Sequence, residues 1–152
     1  LFLRASELTP DDALINAWTG YTLAQAGRMD EAAEYLRRDT GEALSSAVVL
    51  LTKTLLALDR GVPEAAIADV RALLALDKTI LKDAGNRLID DLARYSSRHP
   101  ENPWPFYLSA MVLDAQGRTE VARIALEQFE RLCPTPECKS RATDLMPVAG
   151  AP

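Results

Sequence analysis

Cys133 and Cys138 are the residues of this chain whose type and spacing come closest to covalent chemistry. They bracket Pro134-Thr135-Pro136-Glu137, a stiff turn between two predicted helices. Three readings compete. A disulfide would clamp the last short helix to the one before it, contributing roughly 2 kcal/mol for so short a loop. It would also imply an oxidising compartment such as a bacterial periplasm. Reduced, Cys138 near a helix start would be the more reactive thiol, as a thiol-dependent redox or assembly factor requires. In the third reading the two are ordinary thiols.

Other chemistry is hard to assemble. His99 is the single histidine and stands between Arg98 and Pro100, where a surface turn is expected. Asp11-Asp12 and Asp90-Asp91 are adjacent pairs, which point different ways on a helix. They are expected on solvated faces or at caps rather than as an acid–base dyad. No nucleophile elbow, phosphate-cradling glycine loop or zinc-spaced His/Cys cluster is present in the sequence. The expectation is therefore a protein with no catalytic residue, no metal ligand and no cofactor.

Bulk properties narrow the partners. With 152 residues the chain is long enough for a real apolar core, and Ala and Leu dominate over β-branched and aromatic residues. That balance predicts an all-α fold. A net charge of −5 with scattered lysines and arginines speaks against nucleic acid and against an anionic membrane surface. No apolar run approaches the ~20 residues that span a bilayer. The first residues, Leu-Phe-Leu-Arg, fit either a chain whose leader has been removed or a segment of a longer protein, and the reading of 1–8 as the tail of a helix favours the second.

Helical periodicity then runs almost throughout, broken at identifiable turns. Helices are predicted from Asp11-Asp12 to about Ala26, from Asp30 to Arg38, from Glu42 to Leu58, from Pro63-Glu64 to Leu76 and from Thr79 to Ser97. Arg98-His99-Pro100-Glu101-Asn102-Pro103 interrupts the pattern. Helices from Trp104 to Gln116, Thr119 to Leu132 and Glu137 to Leu145 follow, with a Pro/Gly/Ala tail. One spacing recurs inside this pattern. Gly27, Ala32 and Leu36 are matched by Gly61, Ala66 and Val70, and by Gly117, Ala122 and Leu126. The first two glycines stand 34 residues apart and the next two 56 apart, a surplus of 22 that holds one extra helix and its turn. A fixed period of this length marks stacked helix pairs.

These residues resemble the tetratricopeptide repeat family, in its bacterial exported type. The pattern is a small residue in the first helix, a turn glycine, an early alanine in the second helix and a large apolar residue one turn later. Gly20, Gly27, Ala32 and Leu36 carry it in the first unit. Ala110, Gly117, Ala122 and Leu126 carry it in the last, and the middle unit keeps Gly61, Ala66 and Val70 with Thr54 at the small position. The resemblance implies an α-α superhelix, a solenoid of antiparallel helix pairs. Residues 1–10 would end a preceding repeat helix. Residues 11–132 would form the repeat domain, with units at 13–40, 47–77 and 103–132 and an extra helix at 79–97. Residues 133–152 would form a cysteine turn, a short helix and a tail.

The resemblance also implies a function. Members bind partners in a concave groove lined by the first helix of each pair, which by register places Tyr21, Leu51, Leu55, Trp104, Tyr107 and Met111 on a partner face. An apolar, aromatic face suits a peptide or amphipathic helix of another protein. The alternative reading is that the neighbouring helices of this chain cover the same side chains. A paired-cysteine turn after the last repeat is similar to what exported bacterial members carry, which tips Cys133 and Cys138 towards the disulfide and the location towards the periplasm, with the cytoplasm as the alternative. The expectation is an interaction scaffold within a larger assembly or envelope protein, able in principle to associate with its own copies.

Overall fold

The computed structural model describes residues 1–38 and 46–147. Among the described residues the fold is all-α, with no strand. The helices are α1 (Phe2–Leu8), α2 (Ala13–Gln25), α3 (Met29–Arg38), α4 (Ala47–Asp59), α5 (Pro63–Leu74), α6 (Lys78–Arg98), α7 (Trp104–Ala115), α8 (Thr119–Leu132) and α9 (Pro136–Leu145). The predicted start of the fourth helix at Glu42 and the end of the Pro/Gly/Ala tail lie outside the described residues.

Helix starts follow local chemistry. The Asp12 carboxylate caps α2 by accepting from the Ile15 N–H at 2.9 Å. Thr135 caps α9 by accepting from the Cys138 N–H at 3.2 Å. Pro63 and Pro136 occupy first-turn positions, where a missing N–H leaves no bond unmade.

Three turns close in the same way. Gly27, Gly61 and Gly117 have φ of 79°, 68° and 75°, the left-handed region that a Cβ makes costly. At each, two backbone bonds cap the preceding helix. Arg28 N–H donates to the Leu23 carbonyl and Gly27 N–H to that of Ala24. Val62 and Gly61 donate to Ala57 and Leu58, and Arg118 and Gly117 to Leu113 and Asp114. This paired closure satisfies carbonyls that would otherwise be orphaned at a helix end. The chain reverses there, so α2 packs on α3, α4 on α5 and α7 on α8.

Close packing within each pair depends on small side chains. Ala32, Ala66 and Ala122 are each fully buried. At Gly20 an added Cβ would come within 3.4 Å of the Ala32 carbonyl oxygen and of the Tyr35 Cβ. Thr54 replaces a small residue at the corresponding place in α4 and satisfies its hydroxyl by donating to the Leu50 carbonyl at 2.8 Å.

Contacts divide the chain into two compact units, Leu1–Ala84 and Gly85–Pro152, with the boundary inside α6. In the first, the α2–α3 pair lies against α4. A core of Leu23, Ala24, Ala32, Leu55 and Leu56 forms there, and Met29, Ala33, Tyr35 and Leu36 pack on it. Nine of the thirteen residues of α4 are buried, as its all-round apolar sequence predicts. A buried polar link fixes α1 on α2: the Ser6 hydroxyl donates to Asn16 Oδ1 at 3.0 Å, and Asn16 Nδ2 donates to the Pro10 carbonyl at 2.8 Å. Phe2 stacks on Trp18 beside it, with ring centroids 5.9 Å apart.

In the second unit, Trp104, Tyr107 and Phe129 form an aromatic triangle between α7 and α8, with centroid separations of 5.1 to 5.8 Å. Leu88, Asp91, Leu92 and Tyr95 are the buried stripe of α6 in this unit. Asp91 therefore departs from the expected solvated face. It shares a helical face with Leu88 and Tyr95, at a spacing of three and four residues, and Arg94 supports its carboxylate at 3.4 Å.

Candidate functional site

The six side chains assigned to a partner face occupy different surroundings from one another. Tyr21 and Leu51 are 1 % exposed, Leu55 2 %, Met111 5 % and Tyr107 6 %. These five lie in the core and present almost no surface. The reason is physical: α4 is packed on several sides, and Tyr107 is held within the aromatic triangle. Trp104 alone is half-buried, with the Arg141 guanidinium of α9 lying 5.5 Å from its ring centroid.

A groove opens elsewhere in the first unit. It holds about 830 Å³ and runs between α3, α4 and α5. Its floor is apolar, made by Ala33, Leu36, Val49, Leu56 and Ala57, with Val62 and Ala65 along one side. Charges of both signs stand around it: Asp30, Arg37, Lys53, Arg60 and Asp69. Lys53 is the exposed residue in the middle of otherwise buried α4, and its Nζ reaches Asp69 Oδ1 on α5 at 3.3 Å. Burial pushes the Asp69 carboxyl up from its ordinary value, and Lys53 partly opposes that by favouring the charged form. Arg37 pairs with Glu34 on its own helix.

The groove was only partly legible beforehand. Leu36 belongs to the recurring pattern, and a lone lysine inside the apolar run 47–58 was a signal that one side of α4 meets solvent. Nothing local links Lys53 with Asp69, which lie one helix and one turn apart.

The cysteines meet. Their Sγ atoms lie 2.14 Å apart, a disulfide distance, with Cα atoms 6.0 Å apart. Cys133 sits at the C-cap of α8, and Cys138 in the first turn of α9. Cys133 is half-buried, whereas Cys138 is 5 % exposed. His99 stacks on the Tyr95 ring at 4.3 Å, at the end of α6. Among the described residues no group of three or more His, Cys, Asp or Glu side chains converges as a metal site would require. No described helix is long and apolar enough to cross a membrane.

No family model matches the chain, and neither the curated proteins nor the solved structures provide a match.

Proposed function

We propose that this chain is a tetratricopeptide-like interaction module that holds a segment of another protein, with its seat in the groove between α3, α4 and α5. One observation carries the reading: the groove combines an apolar floor with a charged rim of both signs. An amphipathic helix or short extended segment supplies the matching pattern, apolar on one face and charged at its edges. The three glycine-closed hairpins support a reading as repeated helix pairs. The module performs no chemistry on its partner. The cysteine pair favours an exported, oxidising setting such as the periplasm.

A binding selection tests this directly. Peptides selected from a displayed library on the purified chain should carry an apolar stripe at helical spacing. Nuclear magnetic resonance should then show their shifts concentrated at Ala33, Leu36, Lys53 and Ala65. Ala65 is exposed beside the groove, so Ala65→Glu leaves the fold intact and also suits the first turn of α5. That change should weaken the selected peptides at least about tenfold, roughly 1.4 kcal/mol. Shifts gathered on another surface would remove the groove as the seat. Failure to select any such peptide would end the scaffold reading.

A second reading rests on the cysteine pair: a thiol-dependent redox or assembly factor using Cys133 and Cys138. The unequal exposure of the two cysteines is what favours it.

A further inference from the structure

The last helix is held differently from the others. α9 is ten residues long and buries two side chains, Cys138 and Ala142. It packs on α8, and a cleft opens between them, lined by Arg123, Leu126, Glu127 and Glu130 of α8 and by Ala142, Thr143 and Met146. Isolated helices shorter than roughly 12–15 residues are marginal in water, so α9 depends on what fastens it. One of its two buried side chains is itself half of the sulfur pair. Its other contacts include the packing of Ala142 and the approach of Arg141 to Trp104, and Arg141 pairs with Glu137 within α9 at 3.8 Å.

We propose that the Cys133–Cys138 bond is a thiol-operated latch: an external thiolate attacks Cys133 Sγ, and α9 then comes away from α8. The direction of attack follows from access. Cys133 is half-buried at a helix end, while Cys138 is enclosed. An incoming thiolate sulfur forms a bond to Cys133 Sγ as the Sγ–Sγ bond breaks, and its electron pair leaves on Cys138. That leaving sulfur stands in the first turn of α9, where the helix N-terminus supports negative charge. A second thiolate attacks the external sulfur of the mixed disulfide and releases Cys133 as a thiolate. Two external thiols are thereby oxidised to one disulfide, and the two cysteines are reduced. Opening removes Ala142 from the α8 face beside Leu126 and draws Arg141 away from the ring of Trp104.

The test uses the full oxidised chain. Glutathione is added, the reaction is quenched with acid and an alkylating reagent, and peptides are mapped. Glutathione should be found on Cys133 and the alkyl group on Cys138, with the reverse pattern at least about tenfold rarer. Hydrogen exchange is then compared between the oxidised chain, the dithiothreitol-reduced chain and the Cys133→Ser/Cys138→Ser variant. Amides of 136–145 should exchange at least about tenfold faster in both unlatched forms, while those of α7 and α8 keep their protection. The variant makes the outcome independent of the reductant. Glutathione mainly on Cys138, a bond that resists dithiothreitol, or equal α9 protection in all three forms would each overturn the proposal.

Discussion

α4 and α9 are helices of similar length held by opposite means. α4 buries Val49, Leu50, Leu51, Leu55, Leu56 and Leu58 among other residues, at about 1.5–3 kcal/mol for each large side chain removed from water. α9 buries a cysteine and an alanine and leans on a covalent bond. The difference teaches where this fold spends its apolar residues. Burial holds a helix against neighbours on several sides, whereas α9 adds a tether to its packing on α8. The first arrangement answers to core mutations and is indifferent to thiols. The second should behave the other way round.

Leu55→Ala should have the largest effect. It opens a cavity in the core of the first unit and should cost about 2–5 kcal/mol, read as a lowered urea midpoint. A loss below about 1 kcal/mol would show α4 to be less tightly enclosed than its burial indicates. Ala122→Leu comes next, at about 1–3 kcal/mol, because a fully buried alanine at the α7–α8 contact leaves no room for the larger side chain. Circular dichroism during heating measures it, and an unchanged midpoint would refute the close approach.

Gly61→Ala should cost about 1–2 kcal/mol from backbone alone. The added Cβ meets nothing within 4 Å, so a neutral result would count against the left-handed turn itself. Leu145→Ala sharpens the contrast with Leu55→Ala, since the same atoms are removed from half-buried α9. Its effect on the urea midpoint should stay below about 1 kcal/mol, and a loss as large as that at Leu55 would erase the distinction between the two helices.

The smallest effect is on pH dependence. The folded-state Asp69 carboxyl is raised by burial, so its protonated form fits the fold better than its charged form. The stability this group contributes is fully present below the unfolded carboxylate value and is lost as pH rises through the higher folded one. Asp69→Asn should flatten that slope just above the ordinary carboxylate range, measured as urea midpoints at pH 4 and pH 7. An unaltered slope would place the titration on another group.

Much of the fold was legible because it rests on residues with narrow uses. A glycine that must take positive φ and an alanine that must fit between two helices leave their mark in the sequence, as Gly27, Gly61, Gly117, Ala32, Ala66 and Ala122 do. Helix limits followed from prolines and from Asp11-Asp12, of which Asp12 caps α2. The candidate site was less legible, because an apolar side chain records that it is covered and not by what. Tyr21, Leu51 and Tyr107 satisfy a groove and a core equally well in sequence, and in the fold all three are buried. The charged rim was hidden for another reason: Lys53 and Asp69 become neighbours only after α4 and α5 fold back on each other. Asp91 was readable in principle, since counting from Leu88 and Tyr95 places it on their face.

The hairpin corners carry a last consequence. Glycine is flanked by Ala26 and Arg28 at the first, by Arg60 and Val62 at the second, and by Gln116 and Arg118 at the third, yet the backbone bonds are the same. The turn itself is closed by main-chain atoms at all three, while two flanking side chains serve elsewhere: the Arg28 guanidinium pairs with Glu31, and Gln116 Nε2 donates to Asn86 Oδ1 at 3.1 Å. A designer seeking to vary the surface of this chain would begin at Ala26, Arg60 and Val62, which are exposed, and leave each corner glycine as it is.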